Sequence, residues 1–157
     1  MENGFCYQTP LGKIVITENG EAITGLSFEK VLPGQVNNQE TPLLKEASHQ
    51  LEQYLQGKRH SFDLPLCPQG TDFQQKVWKA LRDIPYGAVC SYKDVALAIG
   101  NEKACRAVGG ANNKNPIAII IPCHRVIGAN GSLVGYGCGL AIKKQLLELE
   151  TRGAKEI

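Results

Sequence analysis

Cys123, His124 and Arg125 stand side by side directly after a proline, Pro122. A thiol becomes a strong nucleophile as its thiolate, a form that a nearby imidazole or cation favours. In a regular strand, adjacent side chains point to opposite faces. His124 therefore needs a turn at Pro122, or a bridging water, to serve Cys123. The alternative is a buried structural thiol beside a satisfied core histidine, because adjacency alone is a weak signal.

The other cysteines offer no comparable neighbourhood. Cys6, Cys67, Cys90, Cys105 and Cys138 are irregularly spaced, and no two cysteines form a C-x-x-C pair. With only His49, His60 and His124 to add, no zinc-ligand spacing emerges, and no metal is expected. Met1-Glu2-Asn3-Gly4 lacks the basic region and apolar stretch of a secretory signal. Reduced thiols and a cytoplasmic location are the corresponding expectations.

Composition sets wider limits. A chain of 157 residues, 43% hydrophobic and 20% charged, can form one core or two small ones. The longest apolar run, at residues 117–121, is far short of a bilayer span, so no membrane partner is expected. A net charge of +2 permits a nucleic-acid partner without arguing for one; DNA affinity would have to come from a local patch and shape.

The elements that must position Cys123 fall into two groups. Gly12-Lys13-Ile14-Val15-Ile16-Thr17 and Ala22-Ile23-Thr24-Gly25-Leu26-Ser27-Phe28 read as strands around the tight turn Asn19-Gly20, with Phe5-Cys6-Tyr7 pairing at one edge. Residues 31–39 read as a loop. A helix begins near Thr41 with Pro42 at its first position, carries Leu44, Ala47, Leu51, Tyr54 and Leu55, and ends at Gly57. Residues 58–70, with Pro65, Pro68 and Gly70, read as a linker. The predicted class is α+β: a small N-terminal domain of antiparallel sheet and helix (1–70), then a mainly helical C-terminal domain (71–157).

In the second domain, Thr71 and Gln74 form a capping box for a helix with Phe73, Val77, Ala80, Leu81 and Ile84 on one face, ended by Pro85 and Gly87. Ser91-Tyr92-Lys93-Asp94 opens a short helix through Ile99, Gly100-Asn101 makes a turn, and residues 102–112 form a third helix. Two short helices around a glycine-containing turn have the form of a helix-turn-helix, although many such pairs never touch DNA. The second of them contains Ala104, Ala107, Gly109, Gly110 and Ala111. Each helical glycine costs roughly 1 kcal/mol against alanine, which suggests close approach to another surface. Lys103, Arg106 and Lys114 supply charge for phosphates. The run at 117–121 reads as a buried strand, though periodicity does not exclude another buried conformation. A last amphipathic helix carries Leu140, Ile142, Leu146, Leu147 and Leu149.

The segment Ile121-Pro122-Cys123-His124-Arg125-Val126-Ile127 resembles the active-site motif of the O6-alkylguanine-DNA alkyltransferases. The likeness extends over Thr71-Asp72-Phe73, Val77-Trp78, Ile84-Pro85-Tyr86-Gly87, Ser91-Tyr92, Ala104-Cys105-Arg106-Ala107-Val108-Gly109, Asn115-Pro116 and Leu146-Leu147-Glu148-Leu149-Glu150. It covers about half the chain in the family's order, while the first seventy residues are compatible with the family's variable first domain.

That resemblance implies direct repair of double-stranded DNA: an alkyl group passes from O6-alkylguanine, and by extension O4-alkylthymine, to Cys123, once per molecule and without a cofactor. It makes Cys123 the acceptor, His124 a base acting through water, and Glu150 the group orienting His124. Asn115 corresponds to the hinge asparagine. Tyr92 would press on the phosphate beside the lesion and hydrogen-bond to the base. Arg106 would replace the flipped nucleotide, with Ser91, Ala107, Gly109 and Gly110 on the DNA-binding face. Tyr136, Gly137, Cys138 and Val126 would line the base pocket. A monomer is expected, nucleoid-associated or, in a eukaryote, nuclear.

Two departures stand out. Cys138 replaces a residue that is often glycine in the family and is expected to narrow the pocket toward small alkyl groups. Cys6, His49, His60 and Cys67 do not match the zinc set of some relatives. Two competing functions are a damage sensor without transfer activity, whose known examples lack the active cysteine, and a cysteine hydrolase using Cys123 and His124. The latter would leave the DNA-binding features without a purpose.

Overall fold

A computed structural model describes residues 2–28, 32–128 and 139–155. They divide into two compact units, one running up to Gln69 and including Pro116–Ala118, the other comprising Gly70–Asn115 and the chain from Ile119 onward.

The first unit is built on a four-stranded sheet in the order β3-β2-β1-β4. Strands β1 (Asn3–Thr9), β2 (Gly12–Glu18) and β3 (Ile23–Ser27) form an antiparallel meander, and the two-residue β4 (Asn37–Asn38) runs parallel to β1. Strand β4 pairs only with Asn3 and Gly4, so Phe5-Cys6-Tyr7 pairs with β2 alone and lies at the sheet edge, as expected, while the expected loop at 31–39 contributes β4. The turn after β2 forms because Asn19 Oδ1 accepts from the amides of Glu21 and Ala22, at 3.0 and 2.9 Å, a local alternative to ladder pairing. Ile14, Val15, Ile16, Ile23 and Leu26 supply the core of this unit.

Helix α1 (Pro42–Leu55) closes the sheet side with Leu44, Ala47, Leu51 and Tyr54 buried. Thr41 caps it by accepting from the Leu44 amide, and Gly57 ends it in the left-handed region at φ +77°. The segment read as a linker is partly paired: the Ile23 amide donates to Pro65 O and the Cys67 amide to Ile23 O, both at 2.8 Å.

The second unit is mainly helical: α2 (Asp72–Arg82), α3 (Tyr92–Ala98), α4 (Cys105–Asn113) and α5 (Leu140–Lys155), with a two-stranded parallel pair β5 (Cys90–Ser91) and β6 (Val126–Ile127). The capping boxes at Thr71/Gln74 and Ser91/Asp94 both form. Gly100, at φ +79°, turns the chain after α3. Helix α4 starts at Cys105, later than the expected residue 102. Trp78 of α2 is buried and donates its indole N–H to Ala111 O of α4 at 2.9 Å, which fixes the two helices in register.

The apolar run at 117–121 is not a strand. It is buried throughout, as expected, but makes one isolated bridge, Leu26 to Ile117, and then turns, with Ile119 at φ +72°. A β-branched residue in that region is strained, at a cost of about 1–3 kcal/mol that the surrounding packing must offset. The turn delivers the chain to Cys123.

Candidate active site

Pro122 is the pivot. Its φ of −80° and ψ of 65° make an inverse γ-turn, in which the Cys123 amide donates to Ile121 O at 2.8 Å. A 3-10 turn over Cys123–Arg125 follows, with the Arg125 amide donating to Pro122 O at 3.0 Å. The alternation that would have separated Cys123 from His124 is thereby broken. Asn115 Nδ2 holds Ile121 O at 2.8 Å, and Asn112 Nδ2 donates to Cys123 O at 3.4 Å. The segment before the thiol is thus pinned from the end of α4.

Cys123 is a thiol rather than a half-cystine and is 4% exposed. His124 is fully buried, and its Nε2 lies 2.7 Å from Glu150 Oε2 of α5. Glu150 also receives Arg125, with Nε 2.8 Å from Oε1 and Nη2 2.9 Å from Oε2. Burial would raise the Glu150 carboxyl, but hydrogen bonds from His124 and Arg125 and the charge of Arg125 outweigh it and hold the group well below the usual carboxylate range. An ionised Glu150 can only accept, so the proton at that contact belongs to His124 Nε2. Nδ1 is then the unprotonated nitrogen, and no described residue donates to it. Burial depresses His124 below its ordinary value despite the attraction of Glu150. The imidazole is neutral, oriented and able to accept a proton.

Tyr92, the first residue of α3, is half-buried; burial and the neighbouring Cys123 push its hydroxyl up, so it stays a donor at neutral pH. Parallel pairing of Cys90 with Val126 and Ser91 with Ile127 brings the start of α3 to the Cys123 segment. Val126 is fully buried. Arg106 and Ala107 are exposed on α4. A Cβ at Gly110 would meet nothing within 4 Å, and one at Gly109 would make only ordinary contact with the Tyr92 ring at 3.8 Å. Packing within the unit therefore requires neither glycine. Ser91 uses its hydroxyl as the cap of α3, accepting from the Asp94 amide. Cys90 and Cys105 are both partly exposed. Tyr136, Gly137 and Cys138 lie outside the described residues.

Sequence reading missed three participants. Arg125 is the partner of Glu150 rather than merely a nearby cation. Lys143 is fully buried and donates to Val126 O at 2.6 Å; burial lowers its ammonium from the ordinary value, while Cys123 pulls the other way. Lys143, Leu146, Glu150 and Gly153 fall at helical spacing and are all buried, so Lys143 sits on the packed face of α5. Asn112, 2% exposed, reads in the sequence only as the end of a helix.

A buried thiol, a neutral imidazole beside it in the chain and a carboxylate holding that imidazole, set in a helical unit with two short helices, have the make-up of an activated-thiol site. The DNA-binding-domain model of 6-O-methylguanine DNA methyltransferase matches residues 72–152, and the model of that protein's ribonuclease-like domain matches residues 5–68. The chain belongs to this family. It is 51% identical over 150 residues to a methylated-DNA–protein-cysteine methyltransferase of Methanosarcina acetivorans, covering 92% of this chain and 95% of that one. Against the constitutive methylated-DNA–protein-cysteine methyltransferase of Bacillus subtilis it is 47% identical over 157 residues, with 95% of each covered. The structure of Mycobacterium tuberculosis OGT in complex with DNA superposes with a TM-score of 0.90 at 43% identity, covering 96% of this chain and 94% of that one.

Proposed function

We infer that the chain repairs alkylated DNA directly, transferring the alkyl group of O6-alkylguanine, and O4-alkylthymine by the same chemistry, to Cys123 in one stoichiometric step. The observation that carries this reading is the buried His124–Glu150 contact beside Cys123, with Nδ1 left as the acceptor. Membership of the family and the names of its relatives point to the same reaction.

The target carbon lies inside the duplex, out of line with any protein thiol, so the nucleotide must leave the stack at a cost of a few kcal/mol. The α3–α4 pair acts as the helix-turn-helix that binds DNA, with Arg106 filling the gap and Ala107, Gly109 and Gly110 permitting close approach. Asn115 braces the Cys123 segment. The thiol proton passes through water to His124 Nδ1. The Sγ–carbon bond forms as the carbon–O6 bond breaks, and the electron pair leaves with the guanine oxygen, toward which Tyr92 donates. The thioether product is stable, which makes the protein single-use. The protein acts as a monomer, in the cytoplasm at the nucleoid or in a nucleus.

The test is repair of a duplex carrying one O6-methylguanine. Guanine should be restored by the wild-type chain and not by Cys123→Ser; persistence of the lesion with the wild-type chain would contradict the reading.

A further inference from the structure

Arg125 makes contacts that nucleophile and base chemistry do not by themselves require. Two of its nitrogens grip both oxygens of Glu150, and Nη1 donates to Ile84 O at 2.6 Å. Its guanidinium carbon lies 5.8 Å from the centroid of the Tyr86 ring, within cation–π range. The side chain is 9% exposed. The 84–87 turn at the end of α2 wraps the same pair from its other end, where the Gly87 amide approaches Glu150 Oε1 at 3.4 Å. Only a planar fork can satisfy two carboxylate oxygens and a carbonyl together.

We infer that Arg125 is a positioning residue for alkyl transfer: anchored on the 84–87 turn, it holds both oxygens of Glu150 so that Oε2 is presented to His124. This deepens the proposed function and rests on it. The fork does two things. It fixes the rotamer of Glu150, and hence the direction in which the imidazole points. It also balances the carboxylate charge at its source. A bare carboxylate against a buried imidazole would favour the imidazolium, which has no lone pair to accept the thiol proton.

The groups facing His124 allow this balance to be assigned. Glu150 and Lys143 come from α5 and Arg125 from the 3-10 turn. The charged side chains of α2, which also packs on the turn, are Asp72, Lys76, Lys79 and Arg82, and all four are exposed. Among the described residues, Glu150 is thus the anion that draws a proton onto His124, while burial, Arg125 and Lys143 oppose it.

The experiment uses the full chain with Arg125→Gln and Arg125→Lys. The His124 ring is titrated by NMR, and transfer from an O6-methylguanine duplex is followed from about pH 5 to about pH 9, the range in which histidine changes charge. Arg125→Gln should raise the His124 midpoint by about one pH unit or more and carry the acid limb of the rate profile with it. Arg125→Lys should return the midpoint toward wild type yet leave transfer about tenfold slow, because a point charge cannot hold all three oxygens. A merely structural arginine would lower thermal stability without moving the midpoint. An unchanged midpoint in folded Arg125→Gln, or a wild-type rate in either variant, would overturn the inference. If Arg125→Gln does not fold, Arg125→Lys carries the test through its rate. The NMR reading needs no alkyl transfer, so failure of the wild-type chain to repair DNA would count against the proposed function and leave the Arg125 result legible.

Discussion

His124 and Glu150 are 26 positions apart and meet at 2.7 Å with both side chains buried. The contact joins the 3-10 turn to α5, so the imidazole is oriented by a helix that the thiol does not belong to. Replacing Glu150 with Gln removes the charge that fixes the proton on Nε2 and strands the Arg125 guanidinium. We expect transfer to slow by roughly a hundredfold, the scale of general-base catalysis. Stability should fall by about 3–5 kcal/mol, the cost of breaking a buried pair. Transfer kinetics and urea unfolding of Glu150→Gln read the two effects separately, and a wild-type rate would remove Glu150 from the relay.

Acid should weaken the fold through His124 before it acts through Glu150. His124 titrates below its ordinary 6.5 in the folded chain, so below that pH the unfolded state takes up a proton that the folded state refuses. Stability therefore falls with pH there, by up to about 1.4 kcal/mol per unit. Glu150, with a folded value of about 2 against 4.5, loses its contribution only further down, as pH drops from 4.5 toward 2. Urea midpoints at about pH 7.5 and about pH 5.5 should differ in the wild type and converge in His124→Gln; equal wild-type midpoints would show that His124 titrates normally.

Arg106 is expected to matter for duplex substrates and not for the free base. Filling the vacated stack offsets part of an unstacking cost of a few kcal/mol, so Arg106→Ala should slow transfer from duplex by about tenfold or more. Transfer from free O6-methylguanine base should be unaffected. Equal losses on the two substrates would place the defect in the thiol chemistry instead.

Gly153 should resist substitution. A Cβ there would overlap the Tyr86 hydroxyl and come within 3.0 Å of the ring carbon that bears it. Tyr86 in turn stacks on Arg125. Gly153→Ala should cost about 1–3 kcal/mol, as overpacking does. It should also slow transfer, because the ring that yields is the one supporting Arg125. A thermal melt and a transfer assay on Gly153→Ala check both, and unaltered stability would mean that the ring moves freely.

Much of the fold is legible in the sequence, and the reasons are local. Thr71 with Gln74 and Ser91 with Asp94 announce their helix starts because capping is decided within one turn. Gly57 and Gly100 mark ends for the same reason. The run at 117–121 reads as a buried strand or another buried conformation and proves to be a turn, since five apolar residues fit either and the positive φ of Ile119 is not written in that pattern. The position of β1 between β2 and β4 depends on a two-residue strand with no pattern to read. At the site, Cys123 and His124 stood out by adjacency, and Glu150 by the motif of the last helix. The fork between Arg125 and Glu150 and the burial of Lys143 could not be seen, because each depends on α5 packing against a turn from elsewhere in the chain.

The most direct test of direct transfer to Cys123 is mass spectrometry of the intact and digested protein after incubation with excess O6-methylguanine duplex. One methyl group should be added per molecule, located on the peptide containing Cys123, with no further gain on longer incubation. Tight binding without a mass change, or a methyl group on another residue, would contradict direct transfer to Cys123.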